Sequence, residues 1–355
     1  MHSLPIILML LGASVVSVIL FRRMNLPPML GYLVVGALIG PHAFNLLEGF
    51  SGAQNFAEFG VVFLMFSIGL EFSLPRLVAM KRIVFGLGGL QVLLTLLVVT
   101  AIAWAFGLSW QAGMALGGVV AMSSTAVLTK LLTERLELDA PHGREVMGVL
   151  LFQDLAVVPL LVLIPAFSRT AEEMVVVMAI ALLKAALLLA LVFLFGKRLL
   201  GRWFLTVARG KSAELFILNM LLVTLGMAWL SESAGLSMAL GAFVAGMLIS
   251  ETEFRHQVEE DIKPFRDVLL GLFFVTVGMM LDAPLVLRNL PLVAAVLAGI
   301  LLIKAVIVFG LSRLYGSMTG AAMRSGLWLC AGGEFGFVLL SDIRESALAP
   351  PIVVQ

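Results

Sequence analysis

Residues 30–39 read LGYLVVGALI, and residues 240–249 read LGAFVAGMLI. Leu30, Gly31, Val34, Gly36, Leu38 and Ile39 return as Leu240, Gly241, Val244, Gly246, Leu248 and Ile249, six identities in ten positions at an offset of 210. A single Gly-x-x-x-x-Gly in an apolar helix is explained by close packing, because small residues let helices approach one another in lipid. A second match at nearly the same offset asks for more: Ser67-Ile68-Gly69-Leu70 is answered 209 residues later by Thr276-Val277-Gly278-Met279. The chain therefore reads as a repeat over about 1–166 and another over about 212–355, joined by a linker helix near 173–200.

Around these stretches the composition is that of a membrane protein. Hydrophobic residues make up 61% of 355 and charged residues 13%, against about 25% charged in soluble domains. A membrane-spanning helix needs roughly 20 mostly apolar residues. Such runs predict an all-α polytopic chain with helices near 4–22, 27–41, 56–72, 83–106, 111–132, 144–166, 173–196, 212–231, 236–250, 265–281, 289–312 and 322–341. A thirteenth is expected to start at Pro350 and run past residue 355. Arg22 and Arg23 follow the first run in place of a small-residue cleavage site, so that run is read as a retained helix. The net charge of +1 points to no nucleic acid or acidic partner. Cys330 stands alone in an apolar run, which excludes a disulfide framework and a cysteine metal site.

Lys and Arg fix the orientation, since basic loops stay in the cytoplasm. Of 23 basic residues, 18 fall in the odd-numbered connections and 3 in the even-numbered ones, while Lys184 and Lys304 lie inside helices. One miscounted helix would have scrambled that split, so it supports the count and an N-terminus outside. The second and ninth helices then run in opposite directions, and the halves become inverted repeats, an architecture that places a substrate site near the midplane. The offset pairs Ser123-Ser124-Thr125 in the fifth helix with Gly332-Gly333-Glu334 in the twelfth. Small and polar residues interrupt those helices there, the pattern expected of two broken helices whose free backbone groups face an ion.

Two charges sit where they cost free energy. Asp154, beside Gln153, lies halfway along the sixth helix, where an ionisable group costs about 2.5–3.5 kcal/mol and marks an ion path or proton relay. A carboxylate holds a dehydrated cation or a proton but hardly both, and this competition is the chemistry of exchange. Lys304 is central in the eleventh helix, too deep to snorkel. Its expected role is charge partner to Asp154, in an ion pair that cation or proton would break. Lys184 is equally central in the seventh helix but lacks polar neighbours and is read as peripheral or lipid-contacting in preference to a transport role. Glu334 either offsets the partial charges of the half-helix ends or braces exposed backbone.

Gly31 to Pro41, Phe66 to Glu71, Phe152-Gln153-Asp154, Gly271 to Met279 and Gly332-Gly333-Glu334-Phe335 together resemble the cation:proton antiporter-2 family, most closely its Kef-type potassium efflux antiporters. The resemblance implies a sodium/proton-antiporter-like fold in a bacterial inner membrane. It also implies a homodimer built on helices one to three and eight to ten, with the remaining core moving like an elevator. Asp154 with Gln153 would take the cation, K+ before Na+, with H+ as the other substrate. An amide at 153 leaves a single carboxylate and implies electroneutral one-for-one exchange. Arg255 to Phe265, with His256, Glu259, Glu260 and Asp261, resembles the Kef-type regulatory loop, though Lys263 interrupts the acidic run and an ordinary solvated loop reads equally well. The cytosolic nucleotide-binding domain that such a loop contacts is expected outside this chain, which carries no Gly-x-Gly-x-x-Gly after a strand. No cofactor is expected beyond the transported ions.

Among transporters the alternative is Na+/H+ exchange. A ligand-gated K+ channel needs a coordinating filter and no protonatable acid paired with a base. An intramembrane protease is disfavoured because no His or Cys joins Asp154 and the Ser123-Ser124 site lacks a visible base.

Overall fold

The computed structural model describes residues 3–24, 28–40, 43, 52–71, 78–167, 180, 183–184, 203–207, 209–210, 212–234 and 237–350. No strand occurs among them. In chain order the helices are α1 (Ser3–Arg23), α2 (Pro28–Ile39), α3 (Gly52–Glu71), α4 (Arg82–Ala105), α5 (Trp110–Ala121), α6 (Thr125–Glu134) and α7 (Pro141–Phe167). They continue as α8 (Ala213–Ser233), α9 (Met238–Ser250), α10 (Arg255–Met279), α11 (Ala283–Arg288), α12 (Leu290–Leu314), α13 (Thr319–Leu329) and α14 (Glu334–Glu345). Four of these, α4, α7, α8 and α12, are each long and apolar enough to cross a membrane unaided. The expected fifth and twelfth helices appear as the interrupted pairs α5/α6 and α13/α14. Most of the expected seventh helix and the body of the thirteenth lie outside the described residues.

The helices gather into two compact units. One comprises Met1–Glu71, Leu187–Leu290 and Gln355, the other Phe72–Ala186 and Pro291–Val354. In the first unit, α2 crosses α10 where Gly36 meets Val275 and Gly278, and α3 crosses α9 where Gly69 meets Phe243 and Gly246. A methyl group on any of the four glycines would overlap the facing helix's backbone, so each crossing is as close as a backbone permits. The two crossings exchange under the sequence offset: Gly36 corresponds to Gly246, and Gly278 to Gly69. The helices before them follow suit, since Ser17 of α1 bonds the Gly31 carbonyl at 3.0 Å while Ser231 of α8 packs on Gly241.

One expectation is corrected here. Arg255 to Phe265 is not a loop but the opening turns of α10, which runs unbroken through Pro264. Val258 and Ile262, one turn apart, are both fully buried and anchor an amphipathic start. His256, Glu259, Glu260 and Asp261 therefore lie on a helix of the first unit.

The second unit is built around α7. In its most apolar stretch 78% of residues are buried, against 11% for α12. The first turns of α4, Arg82–Gly88, are wound as a π-helix and lie on α7, with Gly88 against Phe152 and Ile83 over Gly148. The helix carrying Asp154 is thus wrapped by its neighbours, whereas few residues of α12 are buried.

Candidate ion site at two broken helices

The first break follows from capping chemistry. α5 stops at Ala121, Met122 and Ser124 turn extended, and the Ser124 hydroxyl caps α6 by accepting from the Val127 N–H at 3.4 Å. The second break has the same layout, with α13 ending at Leu329 and Gly333 extended immediately before α14. The two cap positions, 124 and 333, stand 209 residues apart, the spacing already shown by Ser67 and Thr276. The breaks touch: any side chain at position 333 would overlap the backbone of Ser123 and Ser124.

Each break leaves a helix end with spare carbonyls and partial negative charge. Lys304 answers both. Its ammonium donates to the Met122 carbonyl at 2.7 Å, the Ala331 carbonyl at 2.9 Å and the Ser123 hydroxyl at 3.0 Å. Ser123 in turn donates to the Leu329 carbonyl at 2.8 Å. Along α12 the buried residues are Lys304, Val308, Leu311 and Ser312, one helical stripe whose first member is a fully buried lysine. Three donors are thereby matched to three acceptors, none of them Asp154. The expected direct pair between Lys304 and Asp154 is replaced by a bridge between the two breaks.

Asp154 takes the complementary place. Its carboxylate accepts from the Thr125 hydroxyl at 3.0 Å, at the first residue of α6, where the partial charge of a helix end is positive. Pro159 lies inside α7 and has no N–H, so the Leu155 carbonyl, next to Asp154, is left without the usual donor four residues on. Carboxylate, hydroxyl and carbonyl oxygens are the ligands that hard alkali cations take. Gln153 is fully buried and already employed: its amide oxygen accepts from the Ser123 N–H at 2.8 Å, and its NH2 donates to Gln91 at 2.9 Å.

Asp154, Gln153, Ser123, Ser124, Thr125, Lys304, Gly332 and Gly333 thus all belong to the second unit, around the breaks. Glu334 opens α14; its side chain lies outside what is described. Lys184 is exposed. Three contributors escaped the sequence reading. Gln91 and Thr95 in α4 support Gln153, and their only signal was polarity within an apolar run. Glu145, nearly buried in α7, accepts from the hydroxyls of Ser317 and of Ser325, the latter at 2.6 Å, and braces α13 against α7.

The family model described as "Sodium/hydrogen exchanger, transmembrane" matches residues 8–353. The chain belongs to this exchanger family. The chain is 44% identical over 358 residues to K(+) efflux antiporter 2, chloroplastic, of Arabidopsis thaliana, covering 98% of this chain and 30% of that one. It is 45% identical over 343 residues to a protein of Alkalimonas amylolytica provisionally named K(+) efflux antiporter KefB, covering 96% of this chain and 51% of that one. These similarities place it with the Kef type. The chain thus spans about half or less of these relatives' length. Its fold matches the sodium proton antiporter MjNhaP1 of Methanocaldococcus jannaschii with a TM-score of 0.70 at 16% identity, over 98% of this chain and 92% of that one. It is a multi-pass membrane protein, and its family is one of transporters.

Proposed function

We propose that this chain is the membrane domain of an antiporter that exchanges a monovalent cation, potassium by preference, for protons, with Asp154 as the site both ions share. The observation that carries the reading is the placement of one buried carboxylate at the positive end of a broken helix, while a buried lysine covers the negative ends of both breaks. Potassium preference is supported by the names of the longer relatives.

Proton and cation compete for Asp154, and the competition couples their movements in opposite directions. With an amide at 153, one carboxylate trades one cation for one proton, which makes the exchange electroneutral. The gathering of helices into two units supports alternating access in which the ion-holding unit moves. The exchanger is proposed to work as a homodimer in a bacterial inner membrane with its N-terminus outside, and to answer to a cytosolic nucleotide-binding domain through Arg255 to Phe265. The test is Asp154→Asn in proteoliposomes under an imposed pH gradient with K+, Na+ or Rb+. Loss of cation-driven proton flux is expected, and flux that survives would overturn the assignment. Sodium exchange is the second reading, favoured by the family description and by the structural neighbour's title. Parent flux that is faster with Na+ than with K+ would establish it.

A further inference from the structure

The amides of Gln91 and Gln153 form a ladder whose direction is fixed at both ends by backbone. At one end the Ser123 N–H can only donate, so the group facing it at 2.8 Å must be the Gln153 oxygen. The Gln153 NH2 then points to the Gln91 oxygen at 2.9 Å. At the other end the Gln91 NH2 meets the Ala121 carbonyl at 3.3 Å, which can only accept. It also meets the Thr95 hydroxyl at 3.2 Å, whose hydrogen is committed to the Gln91 backbone carbonyl at 2.7 Å. Ala121 and Ser123 flank the same break, so the ladder leaves the break and returns to it. Gln91, Thr95, Ser123 and Gln153 are all fully buried, so no bulk water can replace a lost rung.

A polarity fixed at both ends dictates what position 153 may be. Its outer atom must donate to Gln91, and an ionised carboxylate has nothing to donate. Gln91 cannot rotate its amide to help, because its oxygen would then face the Ala121 carbonyl. A carboxylic acid that keeps its proton does satisfy the ladder, with C=O toward Ser123 and O–H toward Gln91. The charged groups nearest the ladder are Asp154, next along α7, and Lys304, which shares Ser123.

We propose that Gln91 is a positioning residue: it holds position 153 in a ladder that accepts only a neutral side chain, so that even an acid placed there would keep its proton and leave Asp154 as the one group that exchanges ions. The consequence for stoichiometry rests on the function proposed above; the neutrality of position 153 does not.

The experiment is Gln153→Glu in the full chain, reconstituted with carbon-13-labelled glutamate and followed by infrared spectroscopy well above the ordinary glutamate titration value of about 4.3. A protonated carboxyl band absent from the parent is expected, together with exchange that stays insensitive to an imposed membrane potential. Adding Gln91→Lys supplies a donor to an ionised carboxylate at position 153, and the band should vanish. A carboxylate band in Gln153→Glu alone, or a band that persists unchanged with Gln91→Lys, would overturn the proposal. Should Gln153→Glu fail to accumulate, Gln91→Glu reports on the same ladder: as a neutral acid it donates to Ala121 and accepts from Gln153, and an ionised reading there overturns the proposal equally. The infrared result uses no transport, so loss of the Asp154 assignment leaves it intact, and its own failure leaves that assignment standing.

Discussion

Lys304 Nζ lies 2.7 Å from the carbonyl oxygen of Met122, a residue 182 positions earlier in the chain. With its bonds to Ala331 and Ser123, this contact makes the lysine the counter-charge of two helix ends. Hydrogen bonds to a charged group contribute about 1.5–3 kcal/mol each. Lys304→Ala is therefore expected to destabilise the protein by on the order of 3 kcal/mol or more, seen as a lower thermal midpoint in detergent, with a smaller change in cation affinity of the folded fraction. A variant that melts like the parent while binding cation more tightly would instead restore the direct pair with Asp154.

Thr125→Val removes the hydroxyl that donates to Asp154 at 3.0 Å while preserving shape. A hydrogen bond to a charged group of that worth corresponds to at least about tenfold in an equilibrium. The apparent KM for the cation should rise by about that factor, and Thr125→Ser should stay near the parent. Equal values for Val and Ser would remove Thr125 from the site.

Gly36→Ala puts a methyl group into the Val275 and Gly278 backbone, which cannot yield as a flexible side chain would. Overpacking of this kind costs about 1–3 kcal/mol. Gly246→Ala, its counterpart at the other crossing, should cost a similar amount, whereas Gly226→Ala meets open space and serves as the control. Thermal unfolding of the three variants side by side checks the ordering.

Glu137, in the connection between α6 and α7, has its carboxyl held below the ordinary value, chiefly because His142 Nε2 donates to it at 3.0 Å, with the positive charges of Arg324 and Arg135 adding. A lowered folded-state value means that the stabilisation is complete above the unfolded value of about 4.3 and is lost as pH falls through the folded one. Glu137→Gln should therefore lower the thermal midpoint at neutral pH and leave it nearly unchanged in acid. An equal deficit at both pH values would show that the charge is not what matters.

Much of this was legible in the sequence, for reasons that differ residue by residue. Asp154 and Lys304 announced themselves because charge deep in an apolar run has no cheap explanation. The breaks at Ser124 and Gly333 were visible because a capping residue and a glycine interrupt otherwise continuous helices at matched positions. The acceptors of Lys304 were not, since backbone carbonyls released by a break leave no trace in residue type. Gln91 was overlooked because one amide in α4 says nothing of its partner until α7 is placed beside it. The first turns of α10 looked like a loop because Pro264 and the charges outweighed the burial pair Val258 and Ile262.

The absence of a side chain at Gly333 has a mechanical meaning. With the backbone of Ser123 and Ser124 filling the space a β-carbon would need, neither interrupted segment has slack of its own. A push on one is handed directly to the other, so two stretches of chain more than two hundred residues apart are expected to shift as a single body if an ion arrives at the proposed site.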